Sequence, residues 1–100
     1  MANIEIQYHP AAADEVIRAN SWYKDIDPNV AQKFKLELDR AERLVIRSPA
    51  TWASYFHGTN GFRFRGFPFV MAYIAREESI FVVALAHSRR RPGYWKNRIR

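Results

Sequence analysis

The segment 69-FVMAYIAREESIFVVALAH-87 decides the fold, because in it two apolar runs are joined by a short charged turn. Residues 69–76 form the first run, and 76-REES-79 provides the turn. The second run, 80-IFVVALAH-87, is apolar on both faces, which is typical of a strand with neighbours on either side. The sequence therefore predicts an antiparallel β-hairpin whose second strand lies in the middle of a sheet.

The stretch before this hairpin continues the period-two alternation that is typical of strands. In 62-FRFRGF-67 the first two phenylalanines fall on one face and Arg63 and Arg65 on the other, so a strand is expected here. Segment 52-WASYFH-57 is interpreted as a further strand, with 58-GTNG-61 as the turn between the two. The second half of the chain is thus predicted to be a meander of three or four strands.

The first half of the chain predicts one strand and two helices. Residues 3-NIEIQY-8 alternate apolar and polar side chains, and Pro10 then suits the first turn of a helix. Asp27 is a natural N-cap for a second helix, which is expected to end at Ser48 before a proline. An apolar stripe on this second helix is formed by Ala31, Phe34, Leu38, Ala41 and Val45. The link 24-KDIDP-28 is short, so an antiparallel helix hairpin is expected.

Together these elements predict a single α+β domain over residues 1–100, in the order β-α-α-β-β-β(-β). The N-terminal helix hairpin is expected to pack on one face of a mainly antiparallel sheet. The chain has no cysteine, which excludes disulfides and thiolate metal sites. No apolar run reaches the roughly 20 residues that span a bilayer, and 1-MANIEIQYHP-10 lacks the pattern of a secretory leader. A cytoplasmic protein without a membrane partner is therefore expected.

The positive charge of the chain is concentrated at one end. Residues 1–86 contain ten Lys or Arg and ten Asp or Glu, whereas residues 87–100 contain six Lys or Arg and no acid. The formal net charge of +6 is therefore carried by these last fourteen residues. A localised cationic patch is typical of proteins that bind a phosphate backbone or an acidic protein. A solvated, partly frayed basic tail is the alternative interpretation.

His87 is a candidate site residue, because it lies where the apolar strand meets solvent and three arginines follow it. An imidazole beside guanidinium groups and a phosphate can act as a general acid or base. The alternative is a histidine that only anchors the end of the strand by a hydrogen bond.

The arginines form a second candidate group. Arg63 and Arg65 are expected to share one sheet face, and they converge with Arg89–Arg91 if the two strands lie close together. Such a cluster would bind phosphate oxygens, since each guanidinium donates two parallel hydrogen bonds. The alternative is an arginine face that is open to solvent or paired with acidic residues.

Tyr94 and Trp95 follow a Pro-Gly turn and stand among cations. They are candidates to stack on bases or to fill a pocket in a partner. For Trp95 packing back onto the sheet is favoured, and the role of Tyr94 stays open. The three histidines of the chain have no ligand-type spacing with carboxylates, so neither a metal nor another cofactor is expected.

The segment 65-RGFPFVMAYIAREESIFVVALAHSRRRPGYW-95, and above all His87–Arg91 followed by PGYW, resembles the RelE/ParE toxin superfamily of bacterial type II toxin–antitoxin modules. The resemblance covers nearly the whole chain and is closer to the ParE-like, plasmid-stabilisation branch. It implies a growth-inhibiting toxin that a cognate antitoxin silences in a toxin–antitoxin hetero-oligomer. ParE-like members poison DNA gyrase, whereas RelE-like members are ribosome-dependent, metal-independent endonucleases that cleave mRNA.

The resemblance also implies roles for particular residues. For a nuclease, the expected catalytic residues are His87, Arg65, Arg90 and Tyr94, with no carboxylate base near them. For a protein that acts by binding, the expected target-binding residues are Arg63, Arg65, His87, Arg89, Arg90, Arg91, Tyr94 and Trp95. Binding to gyrase is the favoured interpretation and an mRNA endonuclease the alternative. A nontoxic, basic nucleic-acid-binding module is the third.

Overall fold

The computed structural model describes residues 4–99, which form a four-stranded sheet and two α-helices. The elements are β1 (Glu5–Tyr8), α1 (Pro10–Ile26), α2 (Pro28–Arg47), β2 (Asn60–Arg63), β3 (Phe69–Ala75) and β4 (Ser79–His87). Asn3, with which the predicted first strand begins, and the cation Arg100 lie outside the described residues. The predicted α+β class and the order of strands and helices are confirmed.

The sheet has the strand order β1-β4-β3-β2, so β4 has the two neighbours that its apolar faces predict. β1 runs parallel to β4, with Glu5 opposite Ser79 and Tyr8 opposite Val82. The other two pairs are antiparallel, which confirms a mainly antiparallel sheet. Because β1 ends opposite Val82, the described chain places no strand on that side of β4 from Val83 onward.

Each α-helix begins at a side chain that accepts a hydrogen bond from one of the unpaired N–H groups of its first turn. The Nδ1 atom of His9 accepts from the Ala11 N–H at 3.0 Å. Asp27, the predicted N-cap, accepts from the Asn29 N–H at 2.9 Å. Asp27 alone separates the two helices, so they form the predicted hairpin. Neither helix, within the part of the chain described, is long and apolar enough to cross a membrane.

Both helices pack on one face of the sheet, which we call the helix-covered face. Phe34 is 1% exposed, and its ring lies 5.5–6.1 Å from the rings of Phe64, Phe67 and Phe69. Other buried members of this core are Ala12, Ala41, Val45, Phe62, Met71, Tyr73, Ile80, Val82 and Leu85. The predicted burial is confirmed for Phe34, whereas Leu38 from the same stripe is only half-buried.

The opposite face of the sheet is covered by irregular chain segments, and we call it the tail-covered face. Small side chains of β3 and β4 lie on it, namely Ala72, Val83, Ala84 and Ala86. Trp95 packs onto them at 1% exposure and stacks on Tyr55 with 5.4 Å between ring centroids. Gly93 has a φ of 75°, and a Cβ there would lie only 2.4 Å from Nε2 of His57, so this turn requires glycine. The prediction that Trp95 folds back onto the sheet is confirmed.

The strand predicted over residues 52–57 is wrong. Of these residues only Ser54 forms a bridge, to Asn60, and the chain then turns through the 3-10 helix Phe56–Gly58. His57 has a φ of 58°, a left-handed conformation that is incompatible with an extended strand. The next strand, β2, therefore begins inside the predicted turn and is shorter than expected.

Candidate binding site beside the end of β4

A cavity of about 590 Å³ lies between α1 and the end of β4. It is lined by the apolar or aromatic residues Ala19, Trp22, Tyr23, Pro68, Phe69, Leu85 and Tyr94 and by the polar residues Glu15, Arg18, His87, Arg89 and Arg90. Three arginines and one carboxylate give this lining a formal charge of +2. The cavity therefore suits an anionic ligand that also has an apolar part.

His87 ends β4 at the wall of this cavity. Its ring meets Phe69 edge to face, with 5.2 Å between the centroids. Its Nδ1 accepts the Arg89 N–H at 3.0 Å, and its carbonyl oxygen accepts the Arg90 N–H at 2.9 Å. A neutral imidazole that accepts at Nδ1 carries its proton on Nε2, so Nε2 is the atom that can donate to a ligand. The same contacts fix the turn that presents Arg89 and Arg90.

Tyr94 holds Arg90 beside the cavity. The guanidinium carbon of Arg90 lies 3.9 Å from the centroid of the Tyr94 ring, within the range of a cation–π contact. The Tyr94 hydroxyl donates to Glu15 at 2.6 Å. Burial, together with the adjacent Glu15 carboxylate, raises the pKa of Tyr94. This hydroxyl is therefore protonated at neutral pH and acts as a donor.

Glu15 brings a carboxylate into the same cavity as His87. It accepts hydrogen bonds from the Tyr94 hydroxyl and the Arg98 guanidinium, which are 79 and 83 residues away along the chain. The one signal in the sequence is helical spacing, since Glu15 and Trp22 lie two turns apart on the same helix and line the same cavity. Spacing alone does not reveal such distant partners.

Comparison with known proteins identifies the family. A family model described as the ParE toxin of the type II toxin–antitoxin system parDE matches residues 6–92. The chain belongs to the ParE toxin family.

Relatives of this ParE-family chain are known in sequence and in structure. The protein named Toxin ParE2 in two strains of Mycobacterium tuberculosis is 24% identical over 89 residues, which cover 88% of this chain and 85% of the relative. A solved structure described as a chromosomal ParDE TA system from P. aeruginosa has a TM-score of 0.71 at 12% identity. That match covers 84% of this chain and 95% of the other, and it shows a shared fold.

The arginine cluster predicted for this ParE-family chain is not formed. Arg65 lines a second groove, of about 500 Å³, beside α2. Its backbone N–H donates to Oε2 of Glu37 at 2.6 Å. Arg63 is exposed on β2, and β3 separates that strand from β4. The expected convergence of Arg63 and Arg65 with Arg89–Arg91 is therefore wrong, and only the first two arginines of that run line the cavity with His87.

Two other predicted site residues lie outside the cavity lining. Arg91 is exposed and does not line the cavity. Trp95 is buried on the tail-covered face, so a direct contact between its side chain and a target is incompatible with this structure. Its contribution to the candidate site is structural, because it holds the segment that carries Tyr94 against the sheet.

The cavity is better suited to binding than to proton transfer. The two oxygens of Glu15 already accept four hydrogen bonds, so no lone pair is left for a substrate proton. Tyr94 is a protonated donor, and His87 is the remaining candidate for acid–base chemistry. Among the described residues, no group of three or more His, Asp or Glu is placed to hold a metal ion. The arginines can bind an anion without any of these groups.

Proposed function

We propose that this ParE-family protein inhibits growth by binding an essential target such as DNA gyrase through the cavity beside β4. The supporting observation is that Arg18, Arg89 and Arg90 line the cavity without an ion pair to any described carboxylate. Guanidinium groups that no carboxylate neutralises are available to an anionic partner. His87 and Tyr94 complete the proposed contact surface.

A cognate antitoxin is proposed to neutralise the protein by covering the same surface, in a toxin–antitoxin complex within the bacterial cytoplasm. Membership of the ParE family supports this, as does the neighbouring structure described as a ParDE TA system. The charge of +6 in the last fourteen residues predicts an acidic segment in that partner. Opposite charges speed such an association, and added salt slows it by screening.

A second candidate function is a ribosome-dependent, metal-independent mRNA endonuclease. The shared cavity of His87, Arg90 and Tyr94 favours it. Two observations weigh against it, because Glu15 is fully engaged and the predicted catalytic Arg65 lies in another groove. Binding is therefore the better-supported mechanism.

Induced expression of two variants separates the mechanisms, with growth, mRNA cleavage and gyrase-dependent DNA breaks measured in parallel. If the protein acts by binding, Arg89→Ala plus Arg90→Ala relieves growth inhibition, since it removes two charged contacts of about 1.5–3 kcal/mol each. His87→Gln then has a mild effect. Co-expression of an acidic antitoxin restores growth in cells with the unaltered protein.

The matched control is Arg43→Ala plus Arg47→Ala, which removes the same charge from exposed positions on α2. This control keeps full activity if the effect depends on the position of the removed arginines and not on the total charge of the protein. Loss of mRNA cleavage by about 100- to 10,000-fold in a folded His87→Gln protein that still binds its target would instead identify an enzyme.

A further inference from the structure

We propose that Glu15 is the positioning residue of this cavity, and that it holds Tyr94, and through Tyr94 also Arg90, in the geometry that a bound target requires. The inference rests on the proposed function, because it concerns the same surface. Target binding then depends on α1 as well as on the cationic end of the chain.

The Glu15 carboxylate joins three parts of the chain. Its Oε1 accepts the Leu85 N–H of β4 at 3.1 Å and Nη1 of Arg98 at 3.0 Å. Its Oε2 accepts the Tyr94 hydroxyl at 2.6 Å and Nη2 of Arg98 at 3.2 Å. The Glu15 side chain is 14% exposed, so these bonds are largely shielded from water. Four donors from three residues leave the carboxylate one orientation.

Glu15 and Arg98 stand where a neighbouring strand would pair with β4. β1 ends before this point, so the Val83 carbonyl and the Leu85 N–H have no strand partner on that side. Arg98 donates to the Val83 carbonyl at 3.1 Å, and Glu15 accepts the Leu85 N–H. Buried backbone groups that lack partners destabilise a fold, so this pair of side chains replaces a strand. It also anchors the segment that carries Tyr94 to the sheet.

Tyr94 connects this anchored segment to Arg90. The Tyr94 ring centroid lies 3.9 Å from the guanidinium carbon of Arg90 and 5.2 Å from that of Arg98. Arg90 lines the cavity, whereas Arg98 does not. Without the Glu15 carboxylate the hydroxyl loses its acceptor, and the ring and Arg90 are free to leave the wall. Glu15 therefore acts on a bound target through its neighbours.

Charge and position predict opposite effects for Glu15→Gln. The substitution makes the cavity more positive by one charge, so electrostatics alone predicts tighter binding of an anionic target. It also weakens the charge-assisted hydrogen bonds that hold Tyr94 and Arg98, so the positioning role predicts weaker binding. The direction of the change in affinity decides between them.

The test measures gyrase binding, growth inhibition and hydrogen exchange at the Leu85 amide. For Glu15→Gln we expect gyrase binding that is about tenfold weaker or more, together with faster exchange at Leu85. Tyr94→Phe lacks only the hydroxyl and shows a smaller loss of binding; it carries the test if Glu15→Gln does not fold. The matched control is Glu42→Gln, which removes the same charge from a half-buried carboxylate that accepts the Tyr8 hydroxyl. Its gyrase binding stays unchanged.

Gyrase binding that is unchanged or tighter in folded Glu15→Gln overturns the proposal, and so does an unchanged exchange rate at Leu85. The Arg89→Ala plus Arg90→Ala protein, measured alongside, separates this result from failure of the proposed function. If the double variant loses binding while Glu15→Gln keeps it, the proposed function stands and the positioning role alone is wrong. If the double variant binds gyrase at full strength, the proposed function fails and this proposal fails with it.

Discussion

The two faces of the sheet are covered by different kinds of chain. The helix-covered face is closed by α1 and α2, and the apolar stripe of α2 repeats at helical spacing. The tail-covered face is closed by Trp95 and Tyr55, which belong to irregular segments without any repeat. Phe34 on the first face and Trp95 on the second are each 1% exposed. Periodicity therefore reveals the core under the helices, while single contacts between distant segments make the smaller core on the other face.

The largest effect is expected from Phe34→Ala on the helix-covered face. Loss of a buried ring that packs on four other aromatic rings costs about 3–5 kcal/mol of unfolding free energy. Because whole domains are stable by only about 5–15 kcal/mol, growth inhibition falls as well. Denaturant unfolding measures the cost. Leu36→Ala, at a position that is 58% exposed on the same helix, is the control and changes stability by about 0.5 kcal/mol or less. An unchanged stability for Phe34→Ala would mean that α2 faces the sheet differently.

An intermediate effect is expected from Gly93→Ala on the tail-covered face. Its φ of 75° and the 2.4 Å approach of a Cβ to His57 together cost about 1–3 kcal/mol. The strain falls on the turn before Trp95, so tryptophan fluorescence shifts while the helical circular dichroism signal persists. Adding His57→Ala removes the ring that the new Cβ would meet and leaves only the cost of the backbone angle at position 93. If this second change restores no stability, crowding against His57 is not the cause.

The smallest effect is expected at Glu37, on the rim of the helix-covered face. The hydrogen bonds from Arg40 lower the pKa of Glu37, although burial acts in the opposite direction. A carboxyl whose pKa is lowered by folding adds stability above its ordinary value, here 4.5, and loses it as the pH falls through the folded value. Glu37→Gln therefore costs about 1 kcal/mol at pH 7.

Thermal melting across pH checks this expectation for Glu37. The difference in melting temperature between the unaltered protein and Glu37→Gln is largest above pH 4.5 and narrows below it. A difference that stays constant down to low pH would show that the ionised carboxylate is not the source of the stability.

Much of the fold could be predicted because it depends on patterns that are local in sequence. The hairpin of residues 69–87 and the N-cap Asp27 need only their immediate neighbours. The segment 52–57 has the alternation of a strand, yet its structure depends on the tail, since Tyr55 stacks on Trp95. No rule that uses only neighbouring residues predicts that contact.

The candidate site could be predicted where its residues are neighbours in the chain. His87, Arg89, Arg90 and Tyr94 lie within eight positions of one another, and the structure places them around one cavity. Glu15 and Arg18 reach the same cavity from α1, and α1 packs against β4 in a way that only the folded sheet defines. The alternation of apolar and polar residues continues past Arg63, where β2 ends, and it therefore also predicts Arg65 as a site residue. A two-residue period in the sequence does not show where the hydrogen bonding between neighbouring strands ends.

The parallel pairing of β1 with β4 also determines when β1 can pair during translation. Glu5 pairs with Ser79, which is made 74 residues later. At about 5–20 residues per second, roughly 4–15 seconds of translation separate the two, and β1 is without its partner throughout. The Tyr94 and Arg98 partners of Glu15 emerge later still. The proposed toxic surface is thus among the last features of the molecule to form, which leaves the proposed antitoxin time to bind each new chain before that surface is complete.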